Sequence, residues 1–272
     1  MCNGKKIRRP HTPWQRLDLW FSAAPVSQRI LFRFLLDIMV IAKQSQTMDG
    51  IHTVGAGITE RHWATNMTEL YAISLSSLFD GHWKALLPQL DPERSARALS
   101  CRRDADAARI VGAGLLLQQA LLRHGIPVSE QMTERDSFGK PHLVNRADLH
   151  FSLSHCDDLA VCAISNHPVG VDAELPRCSA SLAQRHFHPE EAAFSHDPDK
   201  LCRIWTAKEA FLKALGLGLT VPLNSFLVRI LPDQLQLDQT YSPLPYRLHE
   251  YTADTARICL CCLDEKPEPI VL

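Results

Sequence analysis

The sequence lacks a strong charge imbalance, an apolar segment long enough to span a membrane, and a cysteine pattern typical of a disulfide framework. It contains 29 Lys and Arg residues against 30 Asp and Glu residues, a formal net charge of −1, so no global field favours nucleic acid. The apolar run at 30–42 contains Arg33 and Asp37 and is too short to cross a bilayer. The nine cysteines are scattered and odd in number. These absences predict a cytoplasmic protein with no nucleic-acid or membrane partner.

A short strand with two carboxylates on one face is predicted at residues 169–174. Apolar residues alternate there with Gly170, Asp172 and Glu174. Residues i and i+2 of a strand point to the same face, so the two carboxylates project side by side, with Cα atoms roughly 6.5–7 Å apart. Gly170 leaves the same face open one step earlier. Alone, an Asp-x-Glu pair is common on exposed strand edges and is not specific.

A helix is predicted at about residues 199–217. Its apolar stripe repeats at spacings of three and four and consists of Ile204, Ala207, Phe211 and Leu215. Trp205, Glu209 and Lys213 share a different face because they lie four residues apart. Glu209 can therefore join the two strand carboxylates, with Lys213 one turn further along. A Lys-Glu pair in a helix is usually solvated surface, so this segment alone is not specific either.

The two segments together provide three carboxylates and two lysines. Hard oxygen ligands with several open positions suit Mg²⁺ or Mn²⁺, which bind through a few carboxylates and substrate phosphates. We therefore predict a divalent cation held against a phosphate group.

These motifs resemble those of the surfactin-synthetase-type 4′-phosphopantetheinyl transferases. The family pattern Gly-Val/Ile-Asp-x-Glu occurs at 170–174, and Trp-x-x-Lys-Glu-x-x-x-Lys occurs at 205–213. Upstream, 138–141 match the Gly-Lys-Pro turn and 151–155 match the Asn-x-Ser-His strand end, with Ser152 in place of the usual Asn. The resemblance extends from about residue 67 to about residue 263.

The resemblance implies transfer of the 4′-phosphopantetheine arm from coenzyme A to a serine of an apo acyl or peptidyl carrier protein, releasing adenosine 3′,5′-bisphosphate. Mg²⁺ or Mn²⁺ would be held by Asp172, Glu174 and Glu209. Glu209 is implied as a ligand, as the general base toward the serine hydroxyl, or as both. Lys213 would contact a pyrophosphate oxygen, so Glu209 and Lys213 are the implied catalytic residues.

The resemblance also implies a set of coenzyme-binding residues: Arg94, Arg97, Arg109, Lys140, Ser154, His155, Lys208 and Lys213. The arginines and His155 are expected at the 3′-phosphate and neighbouring groups, and Lys140 near the adenine nucleotide. Lys208 is the weaker of the two lysine candidates for the pyrophosphate. Without the family pattern, the arginines would fit a solvated basic helix face equally well.

The fold implied by the resemblance is α+β with pseudo-twofold symmetry, in which two similar helix-plus-antiparallel-sheet halves enclose the site. The N-terminal half is expected at 67–165 and the C-terminal half, with the metal site, at 166–272. Residues 1–66 are interpreted as an extension that is disordered or that reflects a mis-assigned start codon. A monomer is expected.

Local patterns support these halves. A helix at 104–124 is predicted from Asp104 as its cap and Gly125 after its end. Strands are predicted at 148–154, 159–164, 225–231, 245–250 and 256–263. The last contains Cys259-x-x-Cys262, which we interpret as small apolar residues in a buried strand rather than a redox or zinc site.

Two other classes stay open at this point. A metal-dependent phosphodiesterase or nuclease would also use clustered carboxylates with a lysine, but nuclease motifs usually end in Glu-x-Lys on a strand, whereas Lys208 and Glu209 lie on a helix. The neutral net charge also provides no surface for a nucleic-acid backbone. A non-catalytic carrier-protein binder would not need all three carboxylates. The sequence does not specify the carrier protein or whether its pathway makes fatty acids, polyketides or nonribosomal peptides.

Overall fold

Two helix-and-sheet units make up the part of the chain that the computed structural model describes, residues 67–79 and 81–271. The interpretation of residues 1–66 lies outside the described residues. The helices are α1 (Pro92–Leu99), α2 (Asp104–Arg123), α3 (Ala180–His186), α4 (Pro189–Ala192) and α5 (Pro198–Leu215). The strands of the first unit are β1 (Thr68–Ser74), β2 (Thr133–Arg135), β3 (Pro141–Leu143), β4 (His150–Cys156) and β5 (Leu159–Ser165). The later strands are β6 (Gly170–Glu174), β7 (Leu227–Ile230), β8 (Leu235–Asp238), β9 (Arg247–Ala253), β10 (Ala256–Cys262) and β11 (Ile270–Val271).

The first unit is a four-stranded sheet, in the order β11-β1-β5-β4, that is covered on one face by α2. The pairs β1–β5 and β5–β4 are antiparallel, whereas β11 is parallel to β1. Tyr71 and Ile73 of β1 and Phe151 of β4 pack against the apolar face of α2. The remaining pair, β2 and β3, forms a separate hairpin.

The second unit is a five-stranded sheet in the order β6-β10-β9-β8-β7, covered on one face by α5. The apolar stripe predicted for this helix is buried, with Ile204, Ala207 and Phe211 packed over Cys259 and Cys261 of β10. Asp197 caps the helix by accepting a hydrogen bond from the Lys200 N–H at 3.1 Å. The predicted bounds, 199–217, differ from the observed ones by one or two residues.

The two sheets pack against each other through their other faces. Leu70 and Val161 of the first sheet share an apolar cluster with Val171 and Leu260 of the second. The order of layers is therefore α2, first sheet, second sheet and α5. This arrangement confirms the predicted α+β fold with two helix-plus-sheet halves. One detail differs from the predicted boundary, because β11 follows the second half in sequence but joins the sheet of the first.

The Cys-x-x-Cys segment lies in β10, as predicted for a buried strand. Cys259 and Cys261 face α5, whereas Cys262 belongs to the cluster between the sheets. Cys259 and Cys262 therefore point to opposite faces of one strand, so these two thiols cannot share a disulfide or a metal ion. Among the described residues, no helix is both long enough and apolar enough to cross a membrane.

Candidate active site

The two sheets meet at the edges of β4 and β6, where serine hydroxyls replace a backbone ladder. The Val171 N–H donates to Ser152 Oγ at 3.0 Å, and the Ala173 N–H donates to Ser154 Oγ at 3.2 Å. Both serines are buried. The edge N–H groups of β6 are thus satisfied by side chains from the other half of the molecule.

Asp172 lies at the centre of this joint and is only 7% exposed. Its Oδ1 accepts hydrogen bonds from Ser154 Oγ at 2.8 Å and from Lys213 Nζ at 2.7 Å. Lys213 Nζ also donates to the Val171 carbonyl at 3.0 Å and to the Leu153 carbonyl at 3.4 Å. The orientation of the Asp172 carboxylate is therefore set by both halves and by α5.

Gly170 allows α5 to lie directly against β6. A Cβ atom at this position would be 1.9 Å from the Ala210 carbonyl oxygen and 2.5 Å from the Ala214 nitrogen, both backbone atoms of α5. The face that Gly170 was predicted to leave open is therefore filled by the helix itself. This close approach brings Glu209 and Lys213 to the strand that carries Asp172 and Glu174.

Glu209 is half-buried beside Asp172. Burial raises the pKa of Glu209, the negative charge of Asp172 raises it further, and Lys213 acts in the opposite direction. No described residue forms a hydrogen bond or an ion pair with the Glu209 carboxylate. A cation at this position would relieve the repulsion between the two carboxylates.

Glu174 is turned toward its own backbone, since its Oε1 accepts a hydrogen bond from the Leu175 N–H at 2.8 Å. Across the described ranges, no three His, Cys, Asp or Glu side chains stand close enough to hold a metal ion as they are placed. The set of donors nevertheless fits Mg²⁺ or Mn²⁺, because Asp172 and Glu209 repel one another and all three ligands are carboxylate oxygens. Glu174 would have to rotate away from Leu175 to join them.

His155 and Arg109 lie at the outer rim of the same region. The Arg109 side chain donates to the Asp157 carbonyl at 2.7 Å and to Asp106 Oδ1 at 2.9 Å. Desolvation by the surrounding protein lowers the pKa of His155, and the positive charges of Lys213 and Arg109 act in the same direction. The structure thus brings both residues to the region of Asp172 and Lys213.

Arg94 and Arg97 gather at a second place, on α1. A small pocket there is lined by Asp91, Glu93, Arg94, Arg97, Thr133, Arg135 and Pro141. Burial lowers the pKa of Arg94, and the nearby positive charges of Arg97 and Arg135 also lower it. The carboxylate of Asp91 acts in the opposite direction. Arg135 was not predicted as part of this group. The only indication in the sequence is its position shortly before the Gly-Lys-Pro turn.

Lys140 lies between these two places. Its Nζ donates to the Ala214 carbonyl at 3.2 Å and to the Val169 carbonyl at 3.3 Å, so it connects the turn before β3 to the end of α5 and the start of β6. Burial lowers the pKa of Lys140 to about 8.

Lys208 does not lie at this site. Its side chain is 0% exposed, and its ammonium forms an ion pair with Glu191 at 2.8 Å on the far side of α5. The family motif places Lys208 next to Glu209, but adjacent helical residues point about 100° apart. The expectation that Lys208 binds the coenzyme is therefore corrected.

The fold and this site define a class of protein, an α+β enzyme of two halves with a carboxylate and lysine site at the joint between them. A sequence model of the family described as the 4′-phosphopantetheinyl transferase superfamily matches residues 168–261. The 4′-phosphopantetheinyl transferase psf-1 of Bacillus pumilus is 30% identical over 212 residues, covering 71% of this chain and 89% of that protein. The chain belongs to the 4′-phosphopantetheinyl transferase superfamily and is a transferase enzyme.

Two further relatives carry the same activity in their names. The 4′-phosphopantetheinyl transferase gsp of Aneurinibacillus migulanus is 28% identical over 205 residues, which cover 72% of this chain and 86% of that protein. The 4′-phosphopantetheinyl transferase Sfp of Bacillus subtilis (strain 168) is 26% identical over 194 residues, 67% of this chain and 87% of that protein. The family predicted from the motifs is therefore confirmed.

Proposed function

We propose that this chain transfers the 4′-phosphopantetheine arm of coenzyme A to a serine of an apo acyl or peptidyl carrier protein and releases adenosine 3′,5′-bisphosphate. One observation carries the proposal. The joint between the halves brings Asp172, Glu209 and Lys213 together in a chain whose relatives are named 4′-phosphopantetheinyl transferases.

Asp172, Glu174 and Glu209 are the residues that would hold Mg²⁺ or Mn²⁺. A divalent cation bound there would supply positive charge against the pyrophosphate and against the negative charge that develops on the leaving group. Ser154 supports this site by orienting Asp172 rather than by contacting the coenzyme, since its hydroxyl is used by Asp172 and by the Ala173 N–H.

Glu209 is the residue suited to accept the proton of the serine hydroxyl. A carboxylate with a raised pKa lies closer to neutral pH, where a general base works well, and such catalysis contributes typically about 10²–10⁴-fold. As the serine oxygen bonds to the β-phosphorus, the bond from that phosphorus to the bridging oxygen breaks. Lys213 would stabilise a pyrophosphate oxygen in this step.

The coenzyme would extend along the positively charged residues of the first half. Arg109 and His155 would receive the 3′-phosphate, Arg94 and Arg97 would bind neighbouring groups of the coenzyme, and Lys140 would lie near the adenine nucleotide. Their positive charge supports this placement.

Family membership favours transfer over the phosphodiesterase and the non-catalytic binder. A cytoplasmic location, a monomeric state and the absence of nucleic-acid and membrane partners stay predictions. A panel of carrier proteins can determine which carrier is modified.

The test is to incubate the protein with coenzyme A, Mg²⁺ and a panel of apo acyl and peptidyl carrier proteins, and to measure intact masses. We expect at least one carrier to gain a single phosphopantetheinyl group with release of adenosine 3′,5′-bisphosphate. Asp172→Ala should abolish the gain while the circular dichroism spectrum is retained, because the metal loses a ligand. Full activity of that variant at saturating Mg²⁺ would contradict the metal site. Cleavage of DNA with Mg²⁺, without modification of any carrier, would favour the phosphodiesterase.

A further inference from the structure

Lys208 and Glu191 form an ion pair that is completely enclosed by the second half. Lys208 is 0% exposed and Glu191 is 1% exposed. The Lys208 ammonium donates to the carbonyls of Leu223 and Phe226, each at 2.7 Å, and lies 2.8 Å from Glu191 Oε1. It also stands 4.1 Å from the centre of the Phe226 ring, close enough for a cation–π contact.

Both partners make several hydrogen bonds within the protein. An ammonium has three N–H donors, and the three acceptors around Lys208 account for them. Glu191 accepts from the Val228 N–H at 2.7 Å through Oε1 and from the His188 N–H at 2.9 Å through Oε2. Lys208 is also fully enclosed, whereas the Lys213 side chain is 30% exposed, so the Lys208 ammonium does not reach a coenzyme phosphate.

Stability alone does not account for this pair. Moving each charge out of water costs several kcal/mol, and apolar residues of similar volume often serve as well or better. What the pair adds is geometry, since its bonds join α5 to two other stretches of the second half, α4 and residues 223–228. These bonds connect α5 to the first turn of α4, to the segment Leu223–Ser225, to Phe226 and to the second residue of β7.

Within this ion pair, Lys208 directly precedes Glu209 in the sequence. A helical step of about 100° directs Lys208 into the core beneath α5 and directs Glu209 toward β6. A rotation of α5 about its axis would therefore break the bonds of Lys208 and move the Glu209 carboxylate away from Asp172.

We propose that Lys208 and Glu191 are positioning residues of the transferase. They fix the rotation of α5 and thereby place Glu209 against Asp172, a role that rests on the proposed function of these two carboxylates. Neither residue touches the coenzyme or the carrier serine.

The main test is the double variant Lys208→Met/Glu191→Leu, which replaces the pair with apolar side chains of similar volume. We expect a lower melting temperature than that of the wild type, because the N–H groups of His188 and Val228 lose their acceptor, so Mn²⁺ binding and rates are measured well below that temperature. Binding of Mn²⁺ alone, measured by electron paramagnetic resonance without coenzyme, should weaken at least about tenfold, as is typical when a residue that orients a metal ligand is lost. The kcat of carrier modification should fall with little change in the KM for coenzyme A.

The matched control is Arg203→Met/Glu250→Leu. This pair also joins α5 to the sheet, with two hydrogen bonds of 2.7 and 2.8 Å to β9, but it is partly exposed and lies away from Glu209. We expect Mn²⁺ affinity and kcat near the wild-type values. Unchanged Mn²⁺ affinity and kcat in the Lys208 double variant would overturn the proposal, and so would equal losses in the two double variants.

A second variant covers the case in which the double variant does not fold. Glu191→Gln keeps the size of the side chain and one carbonyl acceptor but loses the charge and the second acceptor. With a wild-type circular dichroism spectrum, it should bind Mn²⁺ several-fold more weakly, and unchanged affinity would overturn the proposal. If the wild type itself bound no Mn²⁺, the metal site of the proposed function would be contradicted. The positioning role would then be decided by kcat alone, which should fall in the Lys208/Glu191 double variant and stay near the wild-type value in the Arg203/Glu250 double variant.

Discussion

Lys140 shows how one half-buried ammonium connects stability to pH. Its Nζ donates to the carbonyls of Val169 and Ala214, and burial lowers its pKa to about 8 from an ordinary value of 10.5. Between these two values the unfolded chain binds more protons at this residue than the folded chain does. The contribution of Lys140 to stability therefore rises as the pH rises from about 8 to about 10.5.

The prediction concerns the difference between the wild type and Lys140→Met. As the pH rises through this window, the free energy of unfolding of the wild type should increase relative to that of the variant, by at most about 3 kcal/mol. Urea denaturation at several pH values measures the difference, with Lys84→Met, at an exposed lysine, as the control. A difference that is flat, or that shrinks with pH, would contradict the effect of burial on this amine.

The two serines of the joint provide a matched pair of substitutions. Ser152→Ala and Ser154→Ala each leave one buried N–H of β6 without its acceptor, at a cost of about 1–3 kcal/mol. Only Ser154 also donates to Asp172. We therefore expect both variants to melt at a lower temperature, but about tenfold weaker Mn²⁺ binding for Ser154→Ala alone. Equal Mn²⁺ affinities in the two variants would show that the hydroxyl does not orient Asp172.

At the scale of single residues, the sequence predicted the position of some candidate site residues but not of others. Asp172 and Glu174 were predicted as neighbours from strand alternation alone, and both lie on β6. Helical periodicity placed Lys213 on the face of Glu209, and Lys213 reaches Asp172, whereas Lys208 lies on another face and is enclosed with Glu191. The enclosure depends on Glu191, Leu223 and Phe226, which are distant in sequence, so the motif alone could not reveal it.

At the scale of elements, the close contact between β6 and α5 determines the site. The two helices with long apolar stripes were predicted to within one or two residues, because burial of one face imposes its period on the sequence. The short strand β8 was not predicted, since four residues carry little pattern. The joint between β4 and β6 could not be predicted either, because strand serines are ordinarily exposed and nothing local marks the ones that bind another sheet.

Gly170→Ala tests the contact between β6 and α5. A methyl group here would meet the backbone of Ala210 at 1.9 Å, and a helix backbone cannot rotate aside as a side chain can. We expect a loss of about 1–3 kcal/mol or more, together with weak Mn²⁺ binding, because Glu209 and Lys213 move with the helix. Melting curves and Mn²⁺ titration measure both effects.

Gly112→Ala is the control for this substitution. Its added methyl group would meet the Leu75 side chain at 2.3 Å, which can change rotamer, and it lies in α2, away from the carboxylates. Mn²⁺ affinity should stay at the wild-type value in Gly112→Ala. Wild-type Mn²⁺ affinity in Gly170→Ala as well would mean that the helix does not position the metal ligands.

At the scale of the whole molecule, the C-terminal segment holds the two halves together. After β10 it crosses to the first half, where β11 pairs with β1 through Tyr71 and Ile270. On the way, the Thr68 hydroxyl donates to the Asp264 carboxylate, and the Tyr251 hydroxyl donates to the Pro267 carbonyl at 2.7 Å. The first described strand and the last one therefore depend on each other.

The family motifs and every candidate site residue lie beyond residue 66. We therefore expect a shortened chain of residues 67–272 to modify carrier proteins at the rate of the full chain. Its melting temperature should also be unchanged. A loss of about 1 kcal/mol in the free energy of unfolding would appear as a drop of about 2–4 °C for a protein of this size. The matched comparison is a chain of residues 67–263, which lacks β11 and both C-terminal hydrogen bonds and should melt several degrees lower. An insoluble product, or a drop of many degrees, for the 67–272 chain would show instead that residues 1–66 contribute to the folded enzyme.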